Sequence, residues 1–208
     1  MYLPEHFAEN RTDVLHGVIR DYSFGTLVSV AAGVPVATHL PFVLDAARGP
    51  LGTLWGHVAR ANPHWRAFDG QAQALALFQG PHAYVSPTWY TTGPAVPTWN
   101  YVAVHAYGVP RLLEDSAEVR AGLDRLVAQH EPVDGGYRPD WSLEFNTTLA
   151  RGIVAFELAI TRLEGKFKLS QNRSEADQTA VAATLAASGR PDAAATGAWM
   201  TERLNSQG

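Results

Sequence analysis

Eleven residues, Leu163 to Arg173 (Leu-Glu-Gly-Lys-Phe-Lys-Leu-Ser-Gln-Asn-Arg), bring together three cations and three uncharged hydrogen-bonding groups, Ser170, Gln171 and Asn172. In an extended strand successive side chains point to opposite faces. Lys166, Lys168, Ser170 and Asn172 then share one face, and Phe167, Leu169 and Gln171 share the other. One face can hold an anion while the other joins a core. Two lysines beside a hydroxyl make a seat for a phosphate monoester, which carries a charge of about −2 and oxygens that accept hydrogen bonds. The other reading of the same residues is an exposed edge strand whose lysines discourage edge-to-edge pairing.

Three further segments carry groups suited to a ligand. In His57-Val58-Ala59-Arg60-Ala61-Asn62-Pro63, Arg60 stands where a strand leaves its sheet, and Pro63 holds Asn62 extended. A guanidinium fork and an amide therefore project near one corner, and an arginine there can clamp a phosphate bidentately. A surface arginine paired with a carboxylate is the alternative. Tyr84-Val85-Ser86-Pro87-Thr88-Trp89-Tyr90 and Val96-Pro97-Thr98-Trp99-Asn100-Tyr101 each set hydroxyls and aromatic rings beside a proline. Flat apolar contact with a few fixed polar groups is what an aromatic ligand requires, although such clusters also build cores and interfaces. The eight histidines show neither His-Glu-x-x-His nor zinc-finger spacing, so no metal site is expected. No Gly-x-Ser-x-Gly elbow, P-loop or Gly-x-Gly-x-x-Gly is present, and no catalytic residue stands out.

The elements that must position these groups follow from periodicity and breakers. Thr12 caps an amphipathic helix through Val14, Leu15, Val18, Ile19 and Tyr22. Gly25–Ala32 and Pro35–Leu44 read as a hairpin turning at Gly33, with Pro41 marking a bulge or an edge. Leu51–Arg60 is a strand. Leu75–Phe78 and Ala83–Val85 read as a hairpin around Gln79-Gly80-Pro81-His82, and Pro87–Pro97 as a functional loop. Thr98–Leu113 is the longest strand, bent at Val109-Pro110. Asp115 or Ser116 opens a helix ending near His130, a short helix lies within Trp141–Thr148, and Gly152–Ser170 forms the last long strand. A helix capped by Ser174 and Asp177 and a final helix from Asp192 to Asn205 close the chain. Many strands with few crossover helices indicate an α+β protein built on an antiparallel barrel of roughly six strands, with peripheral helices and a C-terminal helical segment. Residues 1–173 form the barrel domain with its inserted helix, and residues 174–208 pack on that domain.

Composition limits the partners. Sixteen Lys and Arg against twenty Asp and Glu give a net charge of −4, so no global positive field draws the chain to nucleic acid. The absence of cysteine removes disulfides, thiolate metal sites and cysteine nucleophiles. The N-terminus lacks signal-peptide character and no apolar run has membrane-spanning length, so a cytoplasmic protein is expected.

Six segments in order resemble one family: Met1-Tyr2-Leu3-Pro4-Glu5-His6-Phe7, Ala37-Thr38-His39-Leu40-Pro41-Phe42, His57 to Pro63, Gly80 to Pro87, Val96 to Val102, and Gly165 to Arg173. They are similar to the motifs of PaiB-type proteins, the FMN-binding negative transcriptional regulators. The resemblance implies an FMN-binding split β-barrel like that of pyridoxamine-phosphate oxidases and flavin reductases, a homodimer with flavin at the subunit interface, and a role in repression. Carried onto this chain, it implies Arg60, Asn62, Lys168 and Ser170 at the phosphate, and Thr98, Trp99 and Asn100 along the ring system or ribityl chain. Ser86 and Trp89 would line the pocket. Two alternatives accompany it. One is an FMN-dependent oxidoreductase, in which the flavin does the redox chemistry. The other is a haem-binding or haem-degrading protein using His6, His39 or His82 as axial ligand.

Overall fold

Thr12 begins the first helix, α1 (Thr12–Asp21), because its apolar residues recur on one face: Leu15, Val18 and Ile19 are buried while Asp13 and Arg20 remain toward solvent. The structure is a computed structural model that describes residues 1–205. Ahead of α1 lies the two-residue strand β1 (Ala8–Glu9). After it follow β2 (Phe24–Ala31), β3 (Val34–Pro41), β4 (Val43–Asp45), β5 (Thr53–Ala59), β6 (Ala74–Val85), β7 (Thr98–Gly108) and β8 (Pro110–Leu112). The chain continues through α2 (Ser116–His130), α3 (Glu144–Arg151), β9 (Ile153–Ala159), β10 (Arg162–Lys168), α4 (Glu175–Ala186) and α5 (Pro191–Asn205). No helix among the described residues is long and apolar enough to cross a membrane.

The chain divides into two compact units. One holds Met1–Arg11, Gln79–Val104 and the chain from Glu164 on; the other holds Thr12–Phe78 and His105–Leu163. Strands β6 and β7 contribute residues to both.

In the second unit β2 and β3 form the expected antiparallel hairpin, from Phe24 opposite Pro41 to Ala31 opposite Val34, and β2 also pairs with the first half of β6. A four-stranded antiparallel sheet runs β4-β5-β9-β8. Phe42, Phe78 and Phe156 are fully buried and meet edge to face, with Phe42 at 5.3 Å from Phe78 and 6.4 Å from Phe156. Helix α2, capped by Asp115, lies on this sheet at Trp55. Gly122 permits the contact, since a Cβ there would stand 2.0 Å from Trp55 Cε2.

In the first unit the strand order is β1-β10-β7-β6, with Ala8 opposite Lys166. Alternation along β7 buries Asn100, Val102 and Val104 and turns Trp99 and Tyr101 outward. Helices α4 and α5 bring Val181, Leu185 and Met200 into the core, and Trp199 meets Phe167 edge-on at 5.3 Å.

Four expectations are corrected. Residues 75–85 form one strand, not a hairpin, because Gly80-Pro81 is no turn: both are buried within β6, and a Cβ on Gly80 would come 3.0 Å from Val102 Cβ. The run expected from Pro35 to Leu44 splits after Pro41, where the Phe42 amide bonds the Ser23 carbonyl. The Thr98–Leu113 run becomes β7 and β8, in different sheets. The Gly152–Ser170 run likewise becomes β9 and β10, broken where the Ile160 amide bonds the Gly52 carbonyl and the Thr161 amide bonds the Tyr107 carbonyl. Continuous alternation survives such corners, so the sheets hold six and four strands where about six in all were expected.

Candidate functional site

Strand β10 enters the first unit with Lys166 and Lys168 on one face and Phe167 on the other, as period-two alternation requires. Lys166 is 8 % exposed. Its Nζ donates to the Tyr2 carbonyl at 2.9 Å and lies 5.1 Å from the Tyr2 ring and 5.6 Å from the Tyr101 ring. Lys168 Nζ donates to Thr98 Oγ1 and to the Trp99 carbonyl, both at 2.5 Å, and lies 5.8 Å from the Phe7 ring. Neither ammonium group pairs with a carboxylate among the described residues. Burial, and then the charge of Lys166, push the Lys168 pKa below the usual lysine value. Beside this pair stands an aromatic ledge. Trp99 is 51 % exposed, with His82 at 6.1 Å and Tyr84 at 6.2 Å between ring centroids.

Asn100 and Ser170 lie beneath this surface. Asn100 Nδ2 donates to Ser170 Oγ at 2.9 Å and approaches Met200 Sδ at 3.3 Å, and both residues are buried. The alternation expected through Ser170 ends there, because Ser170 adopts a φ of 68°, in the left-handed region. It therefore meets Asn100 on the buried side, away from the face of Lys168.

Ser86 caps the short turn Pro87–Trp89 by accepting from the Thr88 amide at 3.3 Å, and its hydroxyl meets that of Thr88 at 2.8 Å. Trp89 borders a groove of about 340 Å³ together with Tyr84 and Arg190. Sequence reasoning missed what anchors this loop. Asp177 accepts from the amides of Thr91 and Thr92 at 2.6 and 3.1 Å and from their hydroxyls at 2.9 and 2.6 Å. These bonds, the Thr92 hydroxyl foremost, hold the Asp177 carboxyl well below the usual carboxylate range. The adjacent threonines and the acidic third residue of the α4 cap were the available signal.

Arg60 and Asn62 belong to the second unit. The Arg60 fork donates from Nε to the Arg151 carbonyl and from Nη2 to the Ile153 carbonyl, both at 2.8 Å. Asn62 Oδ1 accepts from the His64 amide at 3.0 Å, and Nδ2 donates to Thr38 Oγ1 at 3.2 Å. His64, 2 % exposed, continues this network from Nδ1 to Thr38 Oγ1 at 2.8 Å and from Nε2 to Ser29 Oγ at 2.7 Å, and burial lowers its pKa. Thus the structure brings Lys168 to Thr98 and Trp99, and Asn100 to Ser170, while Arg60 and Asn62 bond within their own unit.

A model of the family described as "Putative FMN-binding domain" matches residues 1–162. The chain belongs to this FMN-binding domain family. It is 35 % identical to the Protease synthase and sporulation protein PAI 2 of Bacillus subtilis (strain 168) over 212 residues, covering 100 % of both chains, so the aligned span extends past residue 162 through β10. An uncharacterized protein of Emericella nidulans is 33 % identical over 87 % of this chain and 88 % of its own. Among solved structures, the FAD and heme binding protein from Mycobacterium smegmatis superposes with a TM-score of 0.62 at 19 % identity, covering 84 % of this chain and 79 % of that one. The flavocytochrome Anf3 from Azotobacter vinelandii gives a TM-score of 0.63 at 16 % identity, covering 82 % and 74 %. The fold of this family member is accordingly α+β, an antiparallel split barrel, and FMN is the cofactor for which its family is named.

Proposed function

We propose that the chain binds FMN through its first unit, with the phosphate held at Lys166 and Lys168 and the ring system lying against the aromatic ledge of Trp99. The observation that carries this reading is the pair of ammonium groups with no carboxylate partner. Their mutual repulsion and partial burial are unfavourable without a counter-ion, and a phosphate monoester of charge about −2 supplies one. The Thr98 hydroxyl stands beside Lys168 and adds a neutral hydrogen-bonding group. In this reading Ser86 and Trp89 flank the flavin, and Trp89 also lines the groove with Tyr84 and Arg190. Asn100 and Ser170 act from beneath, bracing the end of β10 and the start of β7. Arg60 and Asn62 act through the strand end and the His64 network in the second unit. The flavin, when bound, supplies redox chemistry, and the chain supplies position and electrostatics.

In this reading FMN occupancy serves regulation and the chain acts as a homodimer; the Bacillus subtilis relative is named a protease synthase and sporulation protein. Direct DNA contact through the C-terminal helices has little support: from Ser174 onward the sequence holds only Arg190 and Arg203 as cations, and specific binding rests on several phosphate contacts. The second reading is haem binding or flavin-dependent oxidation and reduction. His82 beside Trp99 favours it, and the two fold neighbours are a FAD and heme binding protein and a flavocytochrome. The visible spectrum of the protein as purified, and again after FMN or haem is added, separates these readings. Flavin bands with a perturbed shape support the proposal. A Soret band lost in His82→Ala supports haem. An unchanged free-FMN spectrum at saturating protein refutes the flavin assignment.

A further inference from the structure

The second unit contains a cavity of about 510 Å³, separate from the lysine pair, into which Arg60, Arg120 and Arg151 face. The lining holds one carboxylate, Glu114. None of the three guanidinium groups forms an ion pair among the described residues. Arg60 spends two donors on backbone carbonyls, Arg120 lies 5.7 Å from the Trp141 ring, and the Arg151 side chain meets no carboxylate among the described residues. The bonds from Arg60 fix its fork and leave its other N–H groups without acceptors among the described residues, which is a preorganised arrangement for an oxyanion. The floor is apolar, from Leu113, Val119 and Val154.

Ala150 and Ile153 line this cavity and also a second, of about 240 Å³, whose walls include Leu123, Val127, Trp141 and Leu149. A cationic chamber thus adjoins an apolar cleft across two shared residues. Local charge here opposes the net charge of −4 carried by the whole chain.

We infer that this pair of cavities is a binding site for an amphipathic organic anion, a phosphate or carboxylate head seated among Arg60, Arg120 and Arg151 with an alkyl or aryl body entering the cleft under α3. The head is held by charge-assisted bonds and the body by burial of apolar surface. The site shares no residue with the lysine pair or the Trp99 ledge, and Arg60 enters the FMN reading only through the strand end that its fork ties.

The test is calorimetric titration of the full chain with butyl, hexyl and octyl phosphate, and with octanoate, each with and without saturating FMN. Saturable binding is expected, strengthening by up to about fourfold per added methylene as the body enters the cleft. Octyl phosphate tighter than octanoate identifies a dianionic head; the reverse identifies a carboxylate. Arg151→Gln should weaken binding by about tenfold or more. Arg60 is left intact because its fork ties backbone. Ala150→Phe, which fills the junction, should abolish the dependence on chain length while leaving butyl phosphate bound, and that separates a blocked cleft from a misfolded chain. Absence of saturable heat, affinity indifferent to both chain length and Arg151, or displacement by FMN would each overturn the inference.

Discussion

Glu157 is the side chain whose replacement most directly reports the electrostatics of the second unit. Its carboxylate is 8 % exposed and lies between Arg48, bonded through both nitrogens of its fork, and Arg111, whose Nη2 is 2.7 Å away. Burial pushes the Glu157 pKa up, but the bonds and charges of Arg48 and Arg111 outweigh it and the net shift is downward. Glu157→Gln keeps the shape and removes the charge. A charge-assisted hydrogen bond contributes about 1.5–3 kcal/mol. Both arginine side chains are half exposed, at 50 % and 56 %, so water takes over their solvation when the carboxylate is lost and the figure must be discounted. We expect a loss of about 2 kcal/mol, equivalent to about 4–8 °C in melting temperature for a chain of this size. Urea unfolding at pH 7 measures it, as a lower midpoint at unchanged slope. The sign with pH follows from linkage: a carboxyl with a depressed folded pKa contributes stability above its unfolded pKa, near 4.3, and loses it as pH falls through the folded value. The gap between wild type and variant should therefore close below about pH 4. A loss under about 0.5 kcal/mol at pH 7, within the range of ordinary surface changes, would mean that Arg48 and Arg111 do not stabilise the fold through Glu157.

Two further outcomes follow from buried geometry. Gly122→Ala places a methyl group 2.0 Å from Trp55 Cε2 and should destabilise the protein by about 1–3 kcal/mol through overpacking, read as a lower melting temperature, although alanine is the better helix former. His64, whose pKa is lowered by burial, takes up a proton more readily unfolded than folded, so its contribution to stability is lost as pH falls below about 6.5; His64→Gln should flatten the slope of stability against pH between about 5 and 7.

Local pattern made much of this legible. The helices α1, α2, α4 and α5 announced themselves through Thr12, Asp115, Ser174 and their apolar stripes, and the lysine face of β10 came from alternation alone. What stayed hidden depends on distant partners. Nothing near Asn62 in the chain indicates that its amide meets Thr38 and, through it, His64 and Ser29. Alternation puts Ser170 on the lysine face, whereas its left-handed backbone brings it to Asn100, seventy residues away, a partner that local pattern does not reveal. The sheet change at Ile160-Thr161 lies within unbroken apolar alternation, which cannot register a corner; at Val109-Pro110 the proline marks the bend but not the change of sheet. Gly80-Pro81 carries turn chemistry, yet the pressure of Val102 against Gly80 holds it within a strand.

In the proposed reading Lys166 and Lys168 form a charged seat that FMN phosphate neutralises. The direct measurement is the FMN affinity of Lys168→Gln against wild type, by quenching of flavin fluorescence, with the melting temperature of each apoprotein recorded alongside. Losing one charge-assisted contact of about 1.5–3 kcal/mol should weaken FMN binding by about 10- to 100-fold. Relief of the repulsion between the two ammonium groups should leave the apoprotein no less stable. An affinity within about twofold of wild type, well under the tenfold that about 1.4 kcal/mol represents, would place the FMN phosphate away from Lys168.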